Sequence, residues 1–444
     1  MAQATWAQIA FWDVLRWLPQ PDALNQTLWT SAPPATTVDR MVESLRALVE
    51  RHEALRTLFA MRDGALTQQV VDAGTLTAQL FEIEGTDVEA YAVAVAQHVR
   101  RGAFASDVDL PIRLAAVTQA GQVSAVVLVV NHLAADGWSL AIVKEDLRRL
   151  LHGETLPERA DQPLDRAAYE ASEAGQRREK RTLDFWRRTM STVSPTMLVA
   201  TDTAAGAPRD WARIESTALA GAARRLAPAT GGNPVTVVLA GIALLLATRV
   251  QESEATLRVI VSTRFRPQER EFVGAFNQNG LFHIGLGAMT VREYLQQSSI
   301  AALAAYRNCE GHQERIEQLC ADIAADRGFV PRGYCFFNDV RFTAPKRGED
   351  NVPDDLRAAL SETRLLQLED RGSQRGAKFF VFLGELSGIC TLTLALDPAF
   401  AQAGTALGFL GDLEQLLVTA AERPDDPITP LTRLIVTHDG GVRP

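Results

Sequence analysis

The sequence predicts a mixed α/β protein built from two domains, and three observations lead there. Strand-like and helix-like segments are interleaved in both halves of the chain, as in layered α/β architectures. At 444 residues the chain is too long for one simple core and suits two domains of about 200 residues each. A polar stretch, HGETLPERADQPLDRAAYEASEAGQRREKRT (152–182), interrupts the apolar patterning near the middle. It places one domain at 1–178 and the other at 179–444, with the proline-containing first part of the stretch a loop and the charged second part a solvated helix.

The elements follow from hydrophobic period. Val38, Met41, Val42, Leu45, Leu48 and Val49 recur at helical spacing. Asp63-Gly64 is a turn signal between short strand-like pieces, and a second helical pattern covers roughly 88–101. Residues 123–130 read as a strand buried on both faces, because nothing polar alternates with the valines. From Leu140 to Leu151 the period changes to that of an amphipathic helix. In the second half, TLRVIVST, GLFHIGLG, GYCFFNDV, AKFFVFLGEL and GICTLTLAL are strand candidates, and 235–249, 290–306 and 403–421 are helix candidates.

Composition narrows the class of function. Apolar residues at 47% and charged residues at 22% are ordinary for a globular chain, and a net charge of −9 argues against a nucleic-acid binder. Cys309, Cys320, Cys335 and Cys390 form no zinc-spaced pair and read as buried thiols of a reducing compartment. The N-terminus has no basic leader, and the longest apolar run, VTVVLAGIALLLA (235–247), falls short of the roughly 18 residues of a membrane span. A cytoplasmic protein with no membrane segment is expected.

The stretch VVLVVNHLAADGWSL (126–140) carries the chemistry. An apolar strand ends at Asn131 and His132, and Asp136-Gly137 follows before the next helix. A neutral imidazole is the side chain best suited to proton transfer near pH 7, and strand ends open onto clefts. The competing reading is structural: Asp136 caps the helix and His132 packs. A buried Asp136 needs a positive partner, for which Arg264 in VIVSTRFRP is the candidate. No GxSxG, Walker A or GxGxxG pattern competes.

NHLAADGWS resembles the HHxxxDGWS motif of nonribosomal peptide synthetase condensation domains, within the chloramphenicol-acetyltransferase-like superfamily. WAQIAFW (6–12) is similar to that family's SxAQxRLW, and RHEALRTLF (51–59) to its RHExLRTxF. DQPLDRAAYE with LDFWRRTM (161–190), TRFRPQEREFVGAFNQNGLFHI (263–284), and the closing DPAFAQAG and ITPLTRL resemble its later segments. The resemblance implies two acetyltransferase-like lobes forming a V-shaped pseudo-dimer with a central tunnel. It implies that His132 acts as general base or positions the nucleophile, and that the Gly137 amide lies near the reacting carbonyl. It makes Asp136 structural, paired with Arg264.

The departures bear on activity. Asn131 replaces the motif's first histidine; it cannot titrate but can hydrogen-bond. NCEGHQERIEQL (308–319), FFNDVRF (336–342) and AFNQNG also depart from the family pattern. A free-standing, monomeric condensation enzyme is expected. It would transfer an acyl or peptidyl group from the phosphopantetheine thioester of a partner carrier protein to an amine or hydroxyl acceptor, with no bound cofactor and no metal. Arg16, Arg177, Arg178 and Arg181 are candidates to meet an acidic carrier protein. The alternatives are a CoA-dependent O- or N-acyltransferase of the same superfamily and a non-catalytic, condensation-like recruitment domain.

Overall fold

The structure, a computed structural model, describes residues 1–17, 22, 24–85, 87–158, 160–194, 208–329, 334–341, 353–370, 377–398 and 404–429. It divides into two compact units, 1–177 with 262–278, and 178–261 with 279–444. Sequence patterning suggested a single break at 178/179; the chain also sends the segment 262–278, which carries Arg264, back into the first unit.

The first unit runs β1 (Ala2–Gln3), α1 (Trp6–Trp17), β2 (Asn25–Ser31), α2 (Val38–Arg51), β3 (Thr57–Arg62), β4 (Ala65–Val70), β5 (Ala78–Glu82), α3 (Val88–Val99), β6 (Ile112–Gln119), β7 (Gln122–Asn131), α4 (Gly137–His152) and α5 (Pro163–Ala171). Its main sheet has the order β2-β7-β6-β5, and a small sheet has the order β1-β4-β3. β7 is central and pairs antiparallel with both neighbours. Val126, Leu128 and Val130 pack with Leu45 and Leu48 of α2 and with Val143 and Leu147 of α4. Ala125, Val127 and Val129 pack on the other side with Ala92, Val95 and Val99 of α3. Helices on both faces are why β7 is an unbroken apolar run, each buried valine contributing roughly 1.5–3 kcal/mol.

The second unit receives the chain within α6 (Glu173–Met190) and continues through β8 (Asp210–Ser216), α7 (Thr217–Leu226), α8 (Pro234–Arg249), β9 (Glu254–Ser262), β10 (Asn277–Gly285), α9 (Val291–Arg307), α10 (Gln313–Asp326), β11 (Tyr334–Asp339), α11 (Leu356–Ala359), β12 (Arg364–Leu368), β13 (Ala377–Leu386), β14 (Cys390–Leu396) and α12 (Ala406–Glu422). One mixed sheet, β10-β9-β11-β13-β14-β8-β12, forms its centre. β11 runs parallel to β9 and β13, and β13, β14, β8 and β12 are antiparallel. The apolar run 235–247 is α8, buried along its whole length. Among the described residues no single helix is long and apolar enough to cross a membrane. All four cysteines are buried thiols outside any disulfide.

One element departs from its expectation. The proline-containing part of the polar stretch is not all loop: Pro163 opens α5, and Gln162 and Asp165 close a reciprocal cap around it. Proline is tolerated at the first helical position, whose N–H has no intrahelical acceptor. Most of the closing segments, including all of ITPLTRL after Thr429, lie outside the described residues.

Candidate active site

β7 delivers Asn131 and His132 to its C-terminal end. The Asn131 N–H donates to the Pro111 carbonyl (2.9 Å), and the His132 N–H donates to the Leu24 carbonyl (3.1 Å). The chain turns over five residues and α4 begins at Gly137, with Asp136 in extended backbone as its N-cap. Asn131 is occupied by this turn: its Oδ1 accepts the Leu133 N–H at 2.9 Å. The residue in place of a first histidine therefore holds the loop and carries no proton.

His132 is half-buried. Its ring stacks on Phe11 of α1, with centroids 4.0 Å apart and planes inclined by 26°. Nδ1 is buried without a hydrogen-bond partner among the described residues. Burial pushes the imidazole pKa below its ordinary value, against the opposing pull of the Asp136 carboxylate and of the His132 and Ala135 carbonyls. That direction favours the neutral ring, the form that can accept a proton.

Asp136 is fully buried, and every contact of its carboxylate is structural. Arg264 grips it with two bonds, Nη1 to Oδ2 at 2.7 Å and Nη2 to Oδ1 at 2.9 Å. The Ser139 N–H donates to Oδ1 at 2.9 Å, and the Phe276 N–H donates to Oδ2 at 3.2 Å. The Asp136 N–H donates to the Gly274 carbonyl at 3.2 Å, and the Gly274 N–H donates to Ser139 Oγ at 3.0 Å. Arg264 also reaches Ser139 Oγ, Ser262 Oγ and the Phe272 carbonyl. The pair thus ties the start of α4 to the segment 262–278 within the first unit. Gly137, half-buried, follows the cap directly, in the helical turn whose N–H groups lack intrahelical acceptors. The structure brings Asp136, Gly137 and Arg264 together, with His132 four residues upstream at the strand end.

Two supporting networks escaped the sequence reading. His52, the histidine of RHEALRTLF, is buried, and its Nε2 lies 2.9 Å from Asp146 Oδ2 on α4. Arg51 Nε donates to the same oxygen at 3.0 Å. Burial alone would raise the Asp146 pKa, but the hydrogen bonds and charges of His52 and Arg51 hold it below the ordinary aspartate value. That motif braces α4. Farther along, Arg166 of α5 pairs with Glu170 (2.8 Å) and with Glu269 (2.7 Å), all three buried. Arg266 Nε donates to Glu269 at 2.8 Å, and its guanidinium lies 4.0 Å from the Tyr169 ring centroid. The only sequence signal for this network was its charged residues inside two segments otherwise read as motif.

The candidate docking arginines diverge. Arg177 is exposed and pairs with Glu173 at 3.1 Å. Arg178 is not a free surface cation: it reaches a buried Glu310 at 2.7 Å. Arg181 is exposed, and the side chain of Arg16 lies outside the described residues.

The chain is similar to known proteins along most of its length. The profile of the family described as Condensation domain matches residues 1–279. A linear gramicidin synthase of Brevibacillus parabrevis is 26% identical over 445 residues, covering 96% of this chain but 6% of that protein's length. The phosphinothricin tripeptide synthetase PhsC of Streptomyces viridochromogenes is 25% identical over 441 residues, covering 89% of this chain and 39% of that protein. The chain thus spans well under half the length of these curated relatives. The crystal structure of SgcC5 from Streptomyces globisporus superposes with a TM-score of 0.69 at 19% identity, over 96% of this chain and 100% of that one. At that identity the structural match speaks for the fold, which is the mixed α/β, chloramphenicol-acetyltransferase-like one.

Proposed function

The chain belongs to the condensation domain family, and from that premise we propose that it catalyses acyl transfer from a carrier-protein phosphopantetheine thioester to an amine or hydroxyl. The nucleophile's N–H or O–H is held at His132 Nε2. Its lone pair attacks the thioester carbonyl, and the tetrahedral oxyanion sits against the Gly137 amide, where one good donor contributes about 2.7–4 kcal/mol. That attack forms the C–N or C–O bond as the proton passes to His132; collapse restores the carbonyl and breaks the C–S bond, and the proton taken by His132 leaves with the thiol. The thioester is already activated, so the protein supplies orientation and proton handling. Asn131, Asp136 and Arg264 hold the loop and take no proton. No cofactor need be resident, because the pantetheine arm arrives on the partner.

The observation that carries this reading is a half-buried imidazole at the end of β7, stacked on Phe11 and five residues before a helix start locked by Asp136 and Arg264. The test is His132→Ala assayed with acyl groups loaded on carrier protein and with paired amine and alcohol acceptors, products being read by mass spectrometry. Product formation should fall about 10²-fold or more with circular dichroism unchanged. Unchanged turnover in a folded variant would remove His132 from the chemistry and favour a recruitment role. Activity with acyl-CoA and none with the loaded carrier would move the donor to CoA.

A further inference from the structure

We infer that Phe11 is the positioning residue for His132: its ring fixes the plane of the imidazole so that Nε2 alone is offered to a substrate. The inference rests on the role of His132 proposed above, and four observations carry it. The two rings are stacked at 4.0 Å and 26°, within the range of favourable offset contacts. The neighbouring side chain cannot do the job, because the Asn131 Oδ1 is engaged by the Leu133 N–H. The His132 backbone is anchored to the Leu24 carbonyl, leaving only the two side-chain torsions to be restrained. Finally, α1 is a rigid platform. Thr5 and Gln8 exchange hydrogen bonds across its first turn, and the Trp6 N–H donates to Glu170 Oε2 at 2.7 Å. Ile9 packs with Leu133, Phe59 and Leu66, with Phe11 against the same cluster.

The consequence is geometric. Nδ1 makes no hydrogen bond among the described residues, so the polar groups acting on the ring, the Asp136 carboxylate and the His132 and Ala135 carbonyls, do not hold it through that nitrogen. The flat Phe11 ring on one face restricts the tilt of the imidazole without demanding a proton. Asp136 is the charged group acting on the ring, and its carboxylate is held by Arg264, away from this role.

Phe11→Leu keeps the volume apolar and removes the flat ring. It should lower kcat about ten-fold while KM stays within about two-fold, the pattern of a misplaced reacting group. With labelled histidine, the His132 ring resonances, assigned against His132→Gln, should shift and broaden. Phe11→Tyr should recover most of the rate and the parent resonances. His132 resonances unmoved by Phe11→Leu overturn the inference, whatever the activity. If His132→Ala retains full activity while Phe11→Leu still moves the ring, the proton-handling role fails and the positioning relation stands. Should Phe11→Leu not fold, Phe11→Met carries the same two readouts.

Discussion

Replacing Asp136 by alanine tests the latch beneath the site, and its cost can be worked from the contacts. The carboxylate takes two bonds from Arg264, one from the Ser139 N–H, one from the Ser139 hydroxyl and one from the Phe276 N–H. Alanine leaves the Arg264 guanidinium, 5% exposed, without its counter-charge. Breaking a buried pair in this way costs about 3–5 kcal/mol. Loss of the α4 cap costs about 1 kcal/mol. The two costs share one carboxylate, so an overall loss of about 4–5 kcal/mol is expected, a large fraction of a typical stability of about 5–15 kcal/mol. Urea unfolding followed by tryptophan fluorescence, reading the first transition, measures it. Arg264→Met added to Asp136→Ala removes the stranded charge and should recover a good part of the loss, which a double-mutant cycle reports as coupling. A single variant as stable as the parent, or a double variant as weak as the summed singles, would show that the pair is not what holds the start of α4.

Further outcomes follow from the same contacts. Because burial depresses the His132 pKa, the acid limb of kcat/KM should lie below about pH 6.5, and His132→Ala should abolish that limb with the rate. Gly274→Ala would put a Cβ 2.2 Å from Phe272 Cε1, a ring fully buried against Phe276, so thermal unfolding should show a loss of about 1–3 kcal/mol. Asp146→Ala removes the carboxylate shared by His52 and Arg51, an expected loss of about 1–3 kcal/mol at about pH 7. Since the folded pKa of Asp146 is depressed, its contribution is present above about pH 3.9 and lost as pH falls through the folded value. The gap between variant and parent should therefore close in acid unfolding curves.

Much of the site was legible because it is written locally. The unbroken valines of β7 require cover on both faces, and the change of period after Gly137 marks the next helix. A carboxylate buried at that junction demands a cation, and Arg264, also just past an apolar strand, was the candidate. Less was legible where partners are distant and chemically unremarkable. Nothing in RHEALRTLF says that its histidine faces Asp146 rather than a substrate, and nothing in Phe11 says that it will lie on His132. Arg178 reads as a surface charge until Glu310 is found beside it.

The sequence by itself determined the strand, the turn, the helix cap and the residue types able to move a proton, since these depend on neighbours within a few positions. Tertiary structure alone decided that 262–278 returns to the first unit, that Asn131 is occupied by the loop and that the imidazole is stacked, with burial pushing its pKa down. Burial and long-range pairing set those states, and both arise from the packing of segments far apart in the chain.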